Sequence, residues 1–493
     1  MSASPVNERP ARRGIAFGTV TAVSVLTILD MTKVNVGLPS IELALGASSS
    51  QLQLIVAGYV LAMGLVMVPA GRLGDTTSRR RMLLIGLGLF TVASGLGALA
   101  PSIEMLVAFR IVQGIAAGLL TPQVIGFIQE LYSGQERGKA FGIFGATVGI
   151  ATALGPTLGG LLVGIGGDHR GWTLLFWMNI PLGIVLFLLA LRYLPAQNRY
   201  PAARGGLDLP GVLLLAVTVF ALMLPFVLTT GRPEDPPLRW AFLALALAAG
   251  WAFVAWEQRY KRAGHLPLID FSLFQLAAFR NGALVGASYF AAMPAHFLII
   301  TLYLQQGLGL LPVYAGMVSI AFALFSAVSS WWSGQRVHRL GRPIVIGGLI
   351  LVGIGFLGSL AVARFAPTEL VPWLMAATLG VAGLGGGAVI APNQTLTLAE
   401  VPVKSGGVAG SVAQVGQRIG TAIGTAAATA VFFAAVYRAD PGTDPVDSYG
   451  TGYLLGGIVA TGFVLVALGF ALYDQISRGG GVGAPATATP PSQ

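Results

Sequence analysis

Residues 71–81 have the sequence GRLGDTTSRRR, and residues 334–344, GQRVHRLGRPI, repeat its outline 263 positions later. Each copy is a basic loop that follows a long apolar stretch. A second pair of segments, Gly118 to Pro122 and Gly387 to Pro392, recurs at an offset of about 270. Two such pairs indicate a chain built from two parallel structural repeats.

The composition excludes a soluble protein. Of the 493 residues, 55% are hydrophobic and only 10% are charged, whereas a soluble domain carries about 25% charged residues. The chain contains no cysteine, which excludes disulfides, thiolate metal sites and a cysteine nucleophile. We therefore expect a membrane protein with no metal and no cofactor.

Membrane-spanning segments can be counted because a spanning helix needs about 20 mainly apolar residues. Fourteen segments qualify, and an even count places both ends of the chain on one side of the membrane. Their predicted bounds are 15–38, 52–71, 82–100, 104–128, 139–163, 172–191, 209–230, 238–256, 281–304, 312–333, 343–363, 369–391, 406–436 and 452–473.

The cationic residues orient these spans. If the ends of the chain are cytoplasmic, 21 of the 29 Lys and Arg residues fall on the inner side, 5 on the outer side and 3 within spans. Cytoplasmic loops carry such an excess, so we expect cytoplasmic termini. The cations are scattered between apolar stretches and form no basic domain, which argues against a nucleic-acid partner.

The repeat unit is eight spans long. This length predicts an all-α polytopic membrane protein in which two six-helix bundles flank an inserted pair, spans 7 and 8. The predicted parts are a cytoplasmic tail at 1–14, an N-terminal bundle at 15–191, a linker with the inserted pair at 192–280, a C-terminal bundle at 281–473 and a disordered tail at 474–493. Parallel repeats of this kind can rock about a central cavity, as alternating access requires.

Asp30 is the one acidic residue that we place deep inside a span. Such a charge costs at least about 2.5 to 3.5 kcal/mol, so it is a functional candidate by default, with a structural ion pair as the alternative. Lys33 lies one turn further along the same helical face. Arg110 in span 4 has a similar predicted depth, and Gln113 follows it by one turn. A desolvated carboxylate that alternates between a cationic partner and a proton suits proton coupling.

The second bundle offers fewer candidates. A shift of 266 residues from Asp30 leads to His296, two residues after Pro294. His296 could carry a second proton, or it could be a polar cavity residue bonded to a backbone carbonyl that the proline frees. In span 13 we expect Arg418 to line the substrate cavity, together with two neighbouring amides, Gln414 and Gln417.

The loop at 71–81 is a candidate cytoplasmic gate. Asp75 can cap a helix or pair with Arg79 and Arg80, although a basic loop is more often only a topology signal. A stripe of small residues in span 5 permits close helix packing and a bend, with ordinary tight packing as the simpler interpretation; it consists of Gly149, Gly155, Pro156, Gly159 and Gly160.

The start of span 6 holds two tryptophans, Trp172 and Trp177, close to Asn179 and Pro181. Tryptophan is common at the membrane interface. We interpret this group as an interfacial anchor.

At these residues the sequence strongly resembles the fourteen-span drug:proton antiporters of the major facilitator superfamily, over essentially its whole length. Residues 29–39, LDMTKVNVGLP, resemble the family's first-span motif. The family's other motifs are similar to the loop from Gly71 to Arg80, to residues 110–114, to residues 155–160, to the start of span 6 and to QRIGTAIG in span 13. The resemblance implies coupling roles for Asp30 and Arg110, a cytoplasmic gate of Gly71, Asp75 and Arg79, and a bend at Gly155 and Pro156 that favours export.

Three departures from the family pattern stand out. Lys33 replaces an apolar residue, Ser78 replaces a loop glycine, and Ala151 replaces the first glycine of the span 5 motif. Lys33 is the informative one, because one deep carboxylate among three deep cations (Lys33, Arg110 and Arg418) disfavours a dicationic drug. We therefore expect a neutral, zwitterionic, anionic or amphiphilic substrate.

These observations predict a proton-coupled antiporter that exports an amphiphilic small molecule, such as a drug, antibiotic or metabolite, across the inner membrane of a bacterium. Its partners would be this substrate, protons and membrane lipid, and it would act as a monomer driven by the proton gradient. An exporter of a lipid or lipid-like metabolite is the alternative. A membrane enzyme acting on lipid is a remote one, because no nucleophile with a base, carboxylate pair or metal cluster is evident.

Overall fold

A computed structural model describes residues 10–195, 208–229, 237–440 and 442–477. Within these ranges, fourteen helices are long and apolar enough to cross a membrane, as predicted, and no strand occurs. The outer parts of both predicted tails and the middle of the predicted linker lie outside the described residues.

The N-terminal bundle contains the first six helices. Most of their ends lie beyond the predicted apolar segments, because a helix satisfies its own backbone groups and can continue past the hydrocarbon region. The exceptions are the end of α3, two residues short of the prediction, and the start of α6, since the first part of the sixth span belongs to α5. Their bounds are α1 Pro10–Leu45, α2 Ser49–Thr76, α3 Arg79–Ala98, α4 Ile103–Leu131, α5 Gly134–Trp177 and α6 Asn179–Tyr193.

The inserted pair and the C-terminal bundle contain the other nine helices. The short α10 and the helix after it together form the tenth span, and a π-helical turn precedes them. The bounds are α7 Leu209–Val227, α8 Ala241–Arg262, α9 Ala277–Leu302, α10 Pro312–Met317, α11 Ile320–Leu340, α12 Arg342–Phe365, α13 Val371–Thr397, α14 Gly406–Arg438 and α15 Pro445–Ser477.

Both predicted tails are too long. Helix α1 already begins at Pro10, inside the tail predicted at 1–14, and α15 continues to Ser477, inside the tail predicted at 474–493. Proline suits the first turn of a helix because its missing N–H has no helical partner there. Hydropathy marks where the apolar residues end, whereas the helix ends where its capping allows.

Helix α5 is interrupted between the predicted fifth and sixth spans. Its φ and ψ angles stay helical through Pro156, and the break lies at Gly167, where φ is 72° and ψ is 172°. This positive φ strains a residue with a Cβ atom, so glycine suits the position. The chain reverses there into the start of the sixth span. The bend expected at Gly155 and Pro156 stays a prediction.

The glycine stripe of α5 packs directly against α1. A Cβ atom added to Gly159 would lie 2.7 Å from the carbonyl oxygen of Lys33, and one added to Gly155 would lie 1.8 Å from the hydroxyl of Thr32. Gly160 lies near Val36 with ordinary spacing. The stripe thus allows the α5 backbone to lie against the segment of α1 that follows Asp30.

The two bundles meet closely at one end. At this end α2 packs on α14 and α5 packs on α11, and inter-bundle hydrogen bonds join Asp75 and Arg79 to the start of α14 and Gly134 to His338. We call it the gate end. Helices α1 and α9, the first of each bundle, are not among the pairs in extensive contact in the described chain.

The inserted pair lies beside this junction. Helices α7 and α8 pack on each other, and α7 also contacts α2 and α14, one helix from each bundle. A change in the relative position of the two bundles is therefore transmitted to α7.

We expect Gly159→Ala to destabilise the protein by about 1 to 3 kcal/mol, because the added methyl group must displace the Lys33 backbone. Thermal unfolding in detergent measures the effect. Gly164→Ala is the matched control on the same helix, since no heavy atom lies within 4 Å of its Cβ position. Equal unfolding temperatures for the two variants would contradict the packing described above.

Candidate coupling site and gate

Asp30 and Arg110 form a buried ion pair. Asp30 lies in the middle of α1 and Arg110 near the start of α4. Arg110 Nη1 lies 2.5 Å from Asp30 Oδ2, and both residues are at most 1% exposed. The depth estimate made from the sequence placed these two residues together, and the structure confirms the contact.

Lys33 and Asn179 complete the surroundings of this carboxylate. Lys33 Nζ donates to Asn179 Oδ1 at 2.5 Å and lies 3.7 Å from Asp30 Oδ1. Asn179 Nδ2 donates to Asp30 Oδ1 at 2.7 Å. Both side chains are fully buried. Asn179 therefore bridges the lysine and the aspartate.

The interpretation of Asn179 as part of an interfacial anchor is wrong. Its side chain points into the bundle because α6 begins at this residue and turns it toward Asp30. Trp172 is also buried, at 3% exposure, whereas Trp177 is 42% exposed and suits the interface. Because its neighbours are aromatic, Asn179 was assigned to the membrane interface, although its amide reaches the site.

Gln113 and Ser94 form an outer layer around the ion pair. Arg110 Nη1 donates to Gln113 Oε1 at 3.1 Å, and Gln113 Nε2 donates to the hydroxyl of Ser94 at 2.6 Å. Asn179 also donates to this hydroxyl, at 3.1 Å. Gln113 was predicted to line the substrate cavity; in this structure it is fully buried and orients Arg110.

The network holds one carboxylate and two basic groups. Both oxygens of Asp30 receive donors, which stabilise its ionised form. If Lys33 and Arg110 are both charged, the buried network carries a net positive charge, which is costly unless an anion or a displaced proton compensates it. The balance of this network therefore depends on the one carboxylate of Asp30.

Tyr59 packs on the cationic side of this network. Arg110 lies over its ring, 4.3 Å from the centroid, and the Arg110 Nε–H donates to the carbonyl of Ile55. Tyr59 is also within electrostatic range of Arg418 on α14, in the other bundle.

The predicted cavity residues of α14 lie on its inward side. Arg418 is partly buried, and its Nε atom is buried with no hydrogen-bond partner in the described chain. Gln417 points toward α9, where its Nε2 lies near Gly286, and Gln414 is partly buried. Arg418 thus presents a donor that a bound molecule could satisfy.

His296 lies in a separate network of the C-terminal bundle. Its ring stacks on Phe356 with centroids 3.7 Å apart. Nε2 lies 3.1 Å from the Ser359 hydroxyl and 3.2 Å from that of Tyr453. Its partners are therefore two hydroxyl groups, and the backbone carbonyl considered in the sequence interpretation is not among them.

The hydrogen bonds of this network indicate which ring nitrogen of His296 carries the proton. Ser359 donates to the Phe356 carbonyl and Tyr453 donates to Ser359, so both hydroxyl protons are used and Nε2 must carry the proton. Nδ1 has no partner in the described chain. Since no carboxylate faces the ring in these contacts, the geometry favours a neutral imidazole over a proton carrier.

The sequence repeat relates the two networks. His296 and Ser359 follow Asp30 and Ser94 by 266 and 265 residues, and each pair occupies the first and third helices of its bundle. The N-terminal copy is charged and the C-terminal copy is neutral. Ser94 was not predicted from the sequence. The repeat offset is the signal that could have identified it.

Asp75 joins the bundles at the gate end. It lies near the end of α2, and its carboxylate accepts the backbone N–H groups of Gly407 at 3.2 Å and Val408 at 2.9 Å. These residues form the first turn of α14, so Asp75 caps a helix of the opposite bundle, where a negative charge is favourable. Gly71 permits this approach, because a Cβ atom there would lie 2.5 Å from the Ser411 hydroxyl.

Arg79 fixes the position of Asp75. Its guanidinium donates to Asp75 at 2.8 Å, to Glu130 at 3.0 Å and, across the interface, to the carbonyl of Val403 at 2.8 Å. Arg80 lies outside this cluster and donates to the carbonyl of Leu191 in its own bundle. The structure thus brings together three of the four predicted gate residues.

A second inter-bundle contact occupies the repeat-related position. His338 follows Asp75 by 263 residues, and its ring hydrogen-bonds to the carbonyl of Gly134 at the start of α5. Each bundle therefore contacts the first turn of a helix in the other bundle.

Two further acids that the sequence interpretation did not single out are buried near helix ends. Asp474 near the end of α15 is 1% exposed and accepts Arg342 at 2.6 Å and Asn281 at 2.8 Å. Glu257 near the end of α8 is also 1% exposed. Both were missed because the apolar segments were judged to end one residue before them. Among the described residues, no group of acids and histidines could hold a metal ion.

The fold and this geometry define a polytopic membrane transporter. Two six-helix bundles related by a parallel repeat enclose a charged network, and one end is closed by inter-bundle contacts. The model of the Major Facilitator Superfamily matches residues 20–425. The chain therefore belongs to this superfamily.

Relatives with assigned names are transporters and resistance proteins. The chain is 34% identical to the "Probable actinorhodin transporter" of Streptomyces coelicolor, over 82% of this chain and 69% of that protein. It is 31% identical to the "Multidrug resistance protein Stp" of Mycobacterium tuberculosis, over 78% and 70%. It is 29% identical to the "Tetracenomycin C resistance and export protein" of Streptomyces glaucescens, over 82% and 73%.

Solved structures share the fold. The human organic anion transporter MFSD10 (TETRAN) aligns with a TM-score of 0.63 at 16% identity, over 94% of this chain and all of that one. The proton:xylose symporter XylE aligns with a TM-score of 0.64 at 16% identity, over 94% and 95%. The chain is thus a multi-pass membrane transporter of small molecules and not an enzyme.

We expect Asp75→Asn to loosen the gate end, because a neutral amide oxygen accepts the Gly407 and Val408 N–H groups more weakly than the carboxylate does and no longer fixes Arg79 against Val403. A hydrogen bond to a charged group contributes about 1.5 to 3 kcal/mol, so the closed-to-open ratio should fall about tenfold or more. Spin labels on Arg81→Cys and Lys404→Cys measure the change, since both positions are exposed and the chain has no native cysteine.

Glu136→Gln is the matched control for this measurement. Glu136 is an exposed acid at the gate end whose partner, Arg13, belongs to the same bundle. Its label distances should match those of the unmodified chain. Unchanged distances in Asp75→Asn would show that this carboxylate does not hold the bundles together.

Proposed function

We propose that the protein is a proton-coupled antiporter that exports an amphiphilic small molecule, such as a drug, antibiotic or metabolite, by alternating access. The observation that carries this proposal is the buried network in which Asp30 is held by Arg110, Asn179 and Lys33. The names of the relatives support export of small molecules. The proton is the driving partner, so no cofactor is required.

The proton would act by competing with Arg110 for Asp30. In the structure the carboxylate is ion-paired and the gate end is closed. Protonation removes the negative charge and releases Arg110 and Lys33, which then repel each other in a buried space. The network must rearrange, and Tyr59 transmits this change toward Arg418 on α14.

The orientation follows from the distribution of cations. If the gate end is cytoplasmic, as the positive-inside rule favours, the conformer is closed toward the cytoplasm. Asp30 would then receive its proton from the outside and release it to the cytoplasm after the gate opens. Breaking the contacts of Asp75 and Arg79 with α14 is the step that opens it. The protein would act as a monomer in the cytoplasmic membrane.

The charge of the site restricts the substrate. Arg110 and Lys33 face one carboxylate, and Arg418 adds a third cation whose buried Nε atom lacks a partner in the described chain. An anionic or polar group on an otherwise apolar molecule would satisfy this donor, whereas a dication would meet an excess of like charge. We therefore propose a neutral, zwitterionic or anionic amphiphile.

We expect Asp30→Asn to reduce pH-gradient-driven transport at least about tenfold, because the amide cannot exchange a proton. The assay is substrate movement in proteoliposomes with an imposed pH gradient, on protein that elutes as a single species. Glu104→Gln, an exposed carboxyl at the other end of the bundle, should transport normally. Full gradient-driven transport by Asp30→Asn would refute proton coupling at this residue.

We expect Lys33→Ile to shift selectivity toward cationic substrates, because it removes one buried positive charge. Competition between a permanently dicationic dye and a neutral dye of similar size measures the shift. Lys139→Ile, which removes an exposed lysine, should leave the ratio unchanged. If the unmodified chain prefers the dication and Lys33→Ile retains that preference, the charge argument is wrong.

A further inference from the structure

The inserted helix pair contains two carboxylates that face each other. Asp208 caps the start of α7, and Glu257 lies in the last turns of α8; their exposures are 5% and 1%. A Cβ atom built on Gly211 would lie 2.4 Å from Asp208 Oδ2 and 2.5 Å from Glu257 Oε1. The two acidic oxygens therefore border the same small space.

The two carboxylates are not equally well supplied with hydrogen-bond donors. Asp208 accepts the backbone N–H of Gly211 at 3.0 Å and the indole N–H of Trp256 at 2.9 Å. Glu257 accepts backbone N–H groups of Ile269, at a long 3.3 Å to Oε2, and of Leu268, whereas its buried Oε1 has no hydrogen-bond partner in the described chain. Asp208 is thus the better-stabilised anion. Glu257 points an oxygen without a hydrogen-bond donor toward it.

Among the described residues, no cation forms an ion pair with Glu257. Arg72 on α2 is within electrostatic range of Glu257, and also of Asp75, Asp270 and Tyr260, but it forms no ion pair with Glu257 within 4.0 Å in the described chain. Lys261 is engaged by Asp270 at 2.8 Å.

The carboxylate of Asp270 holds Lys261 in this ion pair. Partial burial opposes its ionisation, yet hydrogen bonds from Lys261 and Ser272 hold the pKa of Asp270 below its ordinary value. His265 stacks on Tyr260, on the solvent side of the same helix end. Neither basic group therefore reaches the two facing carboxylates in these contacts.

Two acceptors that face each other in a buried space need a donor between them. A metal ion fits poorly, because N–H groups of Gly211 and Trp256 already point at the Asp208 side. A single proton satisfies the geometry: a protonated Glu257 donates through Oε1 to the ionised Asp208. We propose that Asp208 and Glu257 form a proton-binding site on the inserted helix pair, separate from Asp30 and filled while the gate end is closed.

This site lies close to the gate. Loss of its proton adds one negative charge beside Arg72, which is also within range of Asp75. Arg72 is then attracted toward the inserted pair and away from Asp75, the residue that caps α14. The inserted pair would thus make closure of the gate end sensitive to pH on that side of the membrane, independently of whether Asp30 carries the transported proton.

Infrared spectroscopy of the full chain in lipid nanodiscs tests the site. At neutral pH we expect a C=O stretching band of a protonated carboxylic acid that disappears on titration to alkaline pH and is absent in Glu257→Gln. Asp208→Asn should also remove it, because the amide donates to Glu257 and lets that carboxylate ionise. Glu136→Gln, at an exposed acid, should keep the band.

The outcomes separate this proposal from the proposed function. A band that persists at full intensity in both Glu257→Gln and Asp208→Asn overturns the site, and so does the absence of such a band in the unmodified chain. Two substitutions are used so that the test remains informative if one of the two variants misfolds. Asp30→Asn should retain the band, so a failure of proton coupling at Asp30 leaves this result unaffected, whereas loss of the band only in Asp30→Asn would place the proton there and overturn the proposal.

Discussion

The cost of placing a charge in a medium that cannot solvate it governs this protein. Asp30 persists inside the N-terminal bundle only because Arg110, Lys33 and Asn179 supply donors to both of its oxygens. The rest of the bundle maintains this arrangement. Glycines on α5 bring it against α1, and Gly114 on α4 allows the close approach to α2 that places Arg110 beside Tyr59.

The same constraint explains the gate end. Asp75 is nearly buried, yet its carboxylate is satisfied by Arg79 and by the first turn of α14 in the other bundle. Two of the four N–H groups that donate to this carboxylate therefore come from the opposite bundle. Such a contact can be strong in one conformer and lost in another, which is the property that a gate needs. His338 makes a repeat-related contact with Gly134 at the start of α5.

The two halves have diverged in charge while keeping their geometry. Asp30 and Ser94 correspond to His296 and Ser359, but His296 contacts the hydroxyl groups of Ser359 and Tyr453, whereas Asp30 is held by Arg110 and Asn179. A neutral network is stable without a counter-charge and gives one half a fixed structure. The charged network in the other half is stable only while its charges stay paired.

The sequence by itself determined the fourteen spans, the eight-span repeat and the similar depths of Asp30 and Arg110, because hydropathy, repeat offset and helical rise are local or periodic quantities. Only the tertiary structure decided which polar groups meet. Asn179 was assigned to the membrane interface because its neighbours are aromatic, and Glu257 and Asp474 lay just beyond the apolar segments. The physical reason is that a side chain's partners depend on how helices rotate and approach one another, and no sequence spacing contains that information.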